Sequence, residues 1–353
     1  MLIDTERDLA ISDGQPDVFR VFEESYRRHQ PTEEERRIYG NYALRDAVIL
    51  ETPADVLASG EVLTNPSIIV DGFAYFRREP TSFHLGKTTS VPYRLLRNKQ
   101  GEIYLSEFAE AAVLPGEDPR VMRNIKIAGL NGKIHNGWCV STVVATAMPN
   151  NPADVQGIRQ VFYWGEKLSE LEPILEIPDI KNTNIFPLSD ISGDDTDTRF
   201  DVFGRPHPHI SYIRVPGLMS ITNELIQSGA MITEGFLPPD VHVGVNNVKA
   251  VLGYPNLREL DIHEACAPIT PKGKMLNYRL GRYGYDLSTG LITPLGVLAS
   301  REDFPEAGEK PPENGVGSYK KVLYGSMGDP KTGMMLTGVS DRHVGLARLV
   351  RVG

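Results

Sequence analysis

The sequence predicts an all-β chain: a five-bladed β-propeller over residues 56–353, preceded by a short helical extension over 1–55. Three observations lead there. Short β-rich runs bounded by turn signals fill the chain from about residue 60 onward. Long helical patterns between those runs are absent, which argues against strand–helix–strand units around a parallel sheet. The 33 glycines and 26 prolines among 353 residues mark a turn-rich chain. Many short strands mean a sandwich, a barrel or a propeller, and about 300 residues suit about five four-stranded blades of roughly 60 residues each.

The extension differs in texture from everything after it. "PDVFRVFEESYRRH" (16–29) sets Val18, Phe19, Val21, Phe22 and Tyr26 at helical spacing, and "TEEERRIYGNYALRDAVIL" (32–50) opens with a capping box, Thr32 with Glu35. Both read as helix. Charged amphipathic helices appended to a closed fold need a surface to cover, so a subunit interface and a homo-oligomer are expected uses. Beyond residue 60, "NPSIIVDGFAYFRR", "YRLLRNKQGEIYLSEF", "NIKIAGLNGKIHNGWCVSTVVATA", "IRQVFYWG", "ISYIRV", "VKAVLGYP", "MLNYRLGRYGYD", "KKVLYGSM" and "HVGLARLVRV" read as strands. Asp71-Gly72, Asn131-Gly132 and "PKGK" (271–274) are hairpin turns between them. Polar residues stand immediately before several apolar strands, as in "NPSIIVDGFAYF", "EDPRVMRNIKIAGLNGKI" and "VGVNNVKAV". In a propeller the innermost strand of each blade starts at the central funnel, so such polar starts converge on one axis.

A net charge of −9 and the lack of any basic cluster argue against nucleic-acid or anionic-membrane partners. The N-terminal "MLIDTERDLAISDGQ" has no apolar run of signal-peptide type, and no stretch reaches transmembrane length. Cys139 and Cys266 are far apart and fit a reducing cytoplasm. His207 and His209 share a strand face, but no third metal ligand accompanies them, so no metal is expected. "GDDTDTRFD" (193–201) lacks the glycine and terminal glutamate of a calcium loop and reads as solvated. "LGKTT" (85–89) lacks the first glycine of a phosphate loop, since Thr81 stands in its place.

"GEDPR" (116–120) carries the sharpest question. Asp and Pro make a turn, and that reading suffices for these residues alone. Alternatively Asp118 is a positioned acid, with Arg120 beside it to hold its charge or an anionic substrate. Together with "NPSIIVDGFAYFRR" (65–78), this motif resembles the mannoside phosphorylases and hydrolases of glycoside hydrolase family 130, which are five-bladed propellers. The chain is more closely similar to a related propeller family, domain of unknown function 1861, through "FRRE" (76–79), "EDPRV" (117–121), "VFYWGEKLSEL" (161–171), "VFGRPHP" (202–208) and "VGVNNVKAV" (243–251). "LASREDFPEAGEKPP" (298–312) and "VLYGSMGD" (322–329) continue the resemblance, which spans about residues 60–345.

That resemblance implies Asp118 as proton donor to the glycosidic oxygen, Arg77 or Arg78 as a phosphate or sugar ligand, and Arg205 at the funnel. Glu79, His207, Asn246 and His263 fall in or beside the matching segments and join the candidates for substrate or phosphate binding. Two departures remove carboxylates: Asn184 in "TNIF" replaces an acid, and Asn246-Asn247, followed by Lys249, replaces an Asn-Glu pair. A glycosidase needs two carboxylates flanking the bond. A phosphorylase needs one acid and a cationic cradle, because phosphate brings its own nucleophilic oxygen. The expectation is therefore a cytoplasmic enzyme acting on short β-mannosides or similar oligosaccharides by phosphorolysis or hydrolysis, with inorganic phosphate as the one co-substrate and no cofactor. A sugar- or partner-binding propeller without turnover is the alternative, and a different chemistry on the same scaffold is the third.

Overall fold

A computed structural model describes residues 20–80, 88–129, 131–148, 151–206, 209–235, 242–266, 269–270, 273–274, 277–300, 303–304, 323–325, 332–340 and 342–352. The strands form five blades around one axis, as the sequence predicts. Blade I comprises Glu61–Thr64, Phe73–Pro80, Thr89–Arg97 and Ile103–Glu107, and Leu114–Pro115 adds a short edge to the third of these. Blade II is Glu117–Ala128, Ile134–Met148, Asn151–Gly165 and Glu172–Pro178. Blade III is Asn184–Pro187, Phe200–Gly204, Ser211–Val215 and Ala230–Met231. Blade IV is His242–Val251, Tyr254–Cys266, Asn277–Asp286 and Leu291–Ala299. Blade V runs from Leu323–Gly325 through Met334–Val339 and His343–Val352, and its outermost strand is Asn41–Ile49, from the other end of the chain.

That last strand corrects the expected boundary. The helical extension stops at Gly40, and residues 41–49 belong to the propeller. Helix α1 (Arg20–Arg28) and helix α2 (Glu33–Tyr39) form as predicted, α2 with the Thr32/Glu35 capping box intact. Gly40 then ends α2 at a φ of 69°, and "NYALRDAVI" pairs antiparallel with 343–352, from Asn41 opposite Val352 to Ile49 opposite Gly345. A capping box marks where a helix starts but not where it ends, and the glycine was the stop.

Apolar residues sort into five buried clusters, one at each seam between neighbouring blades. Side chains alternate across a strand, so both faces of each sheet enter a seam. In "FAYF", Phe73 and Tyr75 pack toward blade II while Ala74 and Phe76 pack toward blade V. The Asp71-Gly72 turn has positive φ at both residues, 48° and 79°, which is the hairpin geometry that Asp-Gly favours. Gly132 likewise turns at 75°, whereas Pro271 and Lys272 lie outside the described residues.

The two N-terminal helices pack on blade IV. Phe22 and Tyr26 enter its core, and Tyr26 and Tyr283 both donate to Glu264. Burial, with the Glu264 charge, pushes both phenol pKa values up, so both hydroxyls keep their protons. Arg279 bridges Glu264 at 2.6 Å and Glu23 at 2.7 Å. Arg282 donates to the carbonyls of Tyr39 and Gly40 at 3.0 and 3.1 Å, holding the C-terminal end of α2. The surface these helices needed is thus supplied by their own chain, which removes them as an argument for a subunit interface. Glu264, an attractive funnel partner for His263 in the sequence, is committed to this helix contact.

Between blades III and IV, Arg258 donates to Asp201 Oδ2 from Nε at 3.0 Å and from Nη2 at 2.6 Å, both side chains being almost wholly buried. Asp201 Oδ1 accepts from Arg214 and Tyr212, each at 2.8 Å. Removing one partner of such a pair strands the other charge in the core. Asp201→Ala is expected to lower unfolding free energy by about 3–5 kcal/mol, measured by urea titration; a loss below about 1 kcal/mol would show that the pair contributes no more than a surface one.

Candidate functional site at the upper mouth of the axis

The first strands of blades I to IV run side by side around the axis. Their starting ends form what we call the upper mouth, and their finishing ends the lower. At the upper mouth three positions share one backbone device, one directly after the short first strand of blade I and two at or just before the first strands of blades II and III. Asn65, Asp118 and Asn182 all sit at positive φ, 42°, 51° and 59°. Asn and Asp tolerate this region better than other non-glycine residues, though it remains strained, and such strain concentrates at functional sites. Proline follows two of them, Pro66 and Pro119.

Blade II shows how the sequence builds this. Gly116 takes a φ of 102°, and a Cβ there would lie 2.6 Å from the Val143 carbonyl oxygen. The register then slips between Glu117 and Arg120, placing a bulge at the motif. The "GEDPR" segment is therefore both a tight backbone feature and a platform. Asp118 is buried, and its Oδ1 accepts from Asn65 Nδ2 at 2.9 Å across the blade boundary. Arg120 points into a structural contact. It donates to the Asp118 carbonyl at 3.0 Å, to Asn182 Oδ1 at 3.0 Å and to the Val245 carbonyl at 3.3 Å. Its guanidinium thus ties blade II to the starts of blades III and IV.

Strand alternation separates the two neighbouring arginines. Arg77 shares the Tyr75 face and meets Glu79 at 2.6 Å and Glu117 at 3.2 Å. Arg78 lies on the opposite face and pairs with Glu61 at 2.6 Å and with Asp55 at 3.5 Å, away from Asp118. The structure therefore brings Arg77 and Glu79 to the upper mouth and excludes Arg78. Arg205, buried at the end of a blade III strand, is within electrostatic reach of Lys181. His207 lies outside the described residues.

Sequence reasoning missed two groups. Lys181 precedes Asn182, is half-buried, and makes no hydrogen bond to another described residue. Burial lowers its pKa, and Arg205 and Arg77 lower it further against the opposing charges of Glu117 and Asp118. Glu117 is pushed up by burial and by Asp118, opposed by Arg77 and Lys181. The expected single carboxylate is thus three: Asp118, Glu117 and Glu79. A lysine immediately before a polar strand start was the available signal for Lys181.

The remaining candidates form a second layer and a second region. Asn184 Nδ2 donates to the Asn246 carbonyl at 2.9 Å, and Asn246 Oδ1 accepts from His263 Nδ1 at 2.7 Å. Gly244 leaves the space for that imidazole, since a Cβ there would lie 2.3 Å from His263 Cε1. Asn247 and Lys249 do not join Asp118. They line a cavity of about 540 Å³ at the lower mouth, with Arg120 between the two regions. Residues 246, 247 and 249 follow one another along a strand that runs down the axis, so their closeness in sequence spreads them over its length. Among the described residues, no group of three or more His, Cys, Asp or Glu could hold a metal, and no helix is long and apolar enough to cross a membrane.

An ammonium whose pKa is lowered by folding binds its proton less tightly in the folded state than in the unfolded chain. The resulting cost is fully present below the folded pKa and disappears as pH rises through the ordinary lysine value of about 10.4. Lys181→Met is expected to raise the thermal midpoint at pH 7, with the gain fading at alkaline pH. A lower midpoint at pH 7 would mean that the lysine contributes to the fold.

No protein-family model matches the chain, and no curated protein matches it by sequence. Solved structures do. A GDP-mannose-dependent mannosyltransferase of Leishmania mexicana, MPT-1, superposes with a TM-score of 0.66 at 17% identity, covering 94% of this chain and 93% of that one. MPT-4, a mannose phosphorylase from the same organism in complex with a phosphate ion, gives 0.65 at 15% identity, covering 90% and 91%. A hypothetical protein of Leishmania major gives 0.62 at 15%, covering 88% and 90%. At these identities the likeness is one of fold, and it extends over nearly the whole of each chain.

Proposed function

We propose that the chain is a carbohydrate-active enzyme that cleaves short β-mannosides or similar oligosaccharides by phosphorolysis. The observation that carries this reading is the company Asp118 keeps: one strained, buried acid within electrostatic reach of Lys181, which Arg77 and Arg205 also reach. Hydrolysis asks for a second carboxylate able to act as base or nucleophile. Glu79 is held by Arg77 through two donors at 2.6 and 2.9 Å, and Glu117 meets the same guanidinium. Both carboxylates are engaged by that one guanidinium, so the attacking negative charge is better brought by the substrate. Inorganic phosphate supplies it, and in this reading Lys181 and Arg205 would hold its oxygens. The fold neighbours fit this reading, since one is described as acting with GDP-mannose and another as a mannose phosphorylase.

In the proposed reaction Asp118 gives its proton to the glycosidic oxygen as the anomeric C–O bond breaks. A phosphate oxygen forms the new bond to that carbon, leaving sugar 1-phosphate and a shortened saccharide. Asn65 fixes the orientation of the Asp118 carboxyl, and Arg120 directs donors to the Asp118 and Val245 carbonyls and to Asn182.

Short mannosides should be consumed only with phosphate present, giving sugar 1-phosphate and little free hexose from the cleaved residue. Equal turnover without phosphate would establish hydrolysis. Asp118→Asn is expected to lose about 100-fold or more in kcat while saccharide binding changes little, and an aryl glycoside with a good leaving group should partly restore turnover. Arg205→Ala should weaken phosphate more than saccharide. Equal loss of both would point to collapse of the mouth, and unchanged turnover in Asp118→Asn would return "GEDPR" to a purely structural role.

A further inference from the structure

The lower-mouth cavity takes no part in the proposed reaction, and its composition is specific. Its apolar walls come from four blades: Ile69 of blade I, Met122 of blade II, Phe186 of blade III and Val248 of blade IV. Its inner end is polar. Asn184 is 4% exposed and lines the cavity. Its Nδ2 is taken by the Asn246 carbonyl, whereas its Oδ1 accepts no hydrogen bond from a described residue. Asn247 has the complementary arrangement: Oδ1 accepts from the Val248 amide at 2.9 Å, which leaves its Nδ2 as donor. An acceptor and a donor lining the same cavity suit the hydroxyl groups of a polyol, each of which both donates and accepts.

Lys249 completes the set. It lines the same cavity, half-buried, and makes no ion pair with a described residue. The neighbouring cations differ: Arg123 pairs with Asp71 at 3.0 Å and Lys126 with Asp195 at 2.8 Å. Among the described residues Lys249 is therefore a lining cation without an ion pair, although Asp190 also lines the rim and opposes anionic charge.

We infer that the lower mouth is a second ligand site, for a small polyhydroxylated anion with a single anionic group, such as a hexose carrying one phosphate or one carboxylate group. A pyranose ring presents C–H faces to apolar walls and hydroxyl edges to amides, which is the division this cavity makes. About 540 Å³ lies within the range of roughly 300–1,000 Å³ typical of small-molecule sites. Arg120 separates this site from Asp118, so the ligand here is bound and not cleaved. The inference stands independently of the reaction proposed for the upper mouth.

Calorimetric titration of the full chain with mannose 6-phosphate, mannuronate, mannose and inorganic phosphate tests it. Either anionic hexose should bind at least tenfold more tightly than neutral mannose or phosphate alone, and the tighter of the two names the anionic group. Lys249→Met should weaken that binding at least tenfold, and Met122→Trp, which fills the cavity, should abolish it with the circular dichroism spectrum unchanged. Arg205→Ala should leave it intact. Binding lost in Arg205→Ala but kept in Lys249→Met would place the anion at the upper mouth and overturn the inference. So would the failure of both anionic hexoses to bind the wild-type protein.

Discussion

Burial of both faces of every sheet is the constraint on which the rest of this molecule depends. A sheet with one wet face can leave every second side chain to solvent, but a propeller blade cannot. Each residue of an inner strand is committed by its parity to one of two seams, and near the ends of the strands that commitment assigns charged residues as strictly as apolar ones. Arg77 continues the face of Tyr75 and reaches Glu117 in the next blade. Arg78 continues the face of Phe76 and is carried to the far side, where Glu61 and Asp55 receive it. The electrostatics of the upper mouth follow from that alternation.

The second determinant is strain placed at the upper mouth. Asn65, Asp118 and Asn182 are held in a conformation that few side chains adopt, and hydrogen bonds cross the blade boundaries between them, from Asn65 to Asp118 and from Arg120 to Asn182. Arg120 is the tie that makes this affordable, because one guanidinium satisfies groups from three blades. An acid set on such a bulge cannot relax away from the axis. The same rigidity suits any chemistry that requires a proton to be delivered at a fixed position.

Much of this was legible in the sequence, and the failures have physical reasons. Blade count followed from strand texture and length, and the hairpin at Asp71-Gly72 followed from its turn chemistry. Asp118 stood out because its motif is compact and local. Arg78 was grouped with Arg77 because adjacency was allowed to stand for proximity, although the period of two in "FAYFRRE" already divides them. Asn247 and Lys249 were assigned to the upper mouth for a related reason. A strand descends about 3.3 Å per residue, so a motif of a few residues can span from one region of an axis to another. Lys181 left only one sign in the sequence, its place before a polar strand start, because its importance lies in burial within electrostatic reach of Arg205, which is distant in sequence. The strand at 41–49 was read as helix because its only partner lies some 300 residues away in sequence, at the opposite end of the chain.

That strand has a consequence for biosynthesis. A ribosome releases the chain from its N-terminus, so Asn41–Ile49 emerges early and its partner His343–Val352 emerges last. Until then the early strand has exposed backbone donors and acceptors and the apolar side chains of Leu44, Ala47 and Ile49, which belong to the seam between the last two blades. An unpaired edge of this kind is a template for association with other nascent chains. Helices α1 and α2, just ahead of it, cannot dock until blade IV exists. The ring is therefore assembled with its first segment waiting for its last. Production of this protein should depend more on how that waiting segment is shielded during translation than on the stability of the finished propeller.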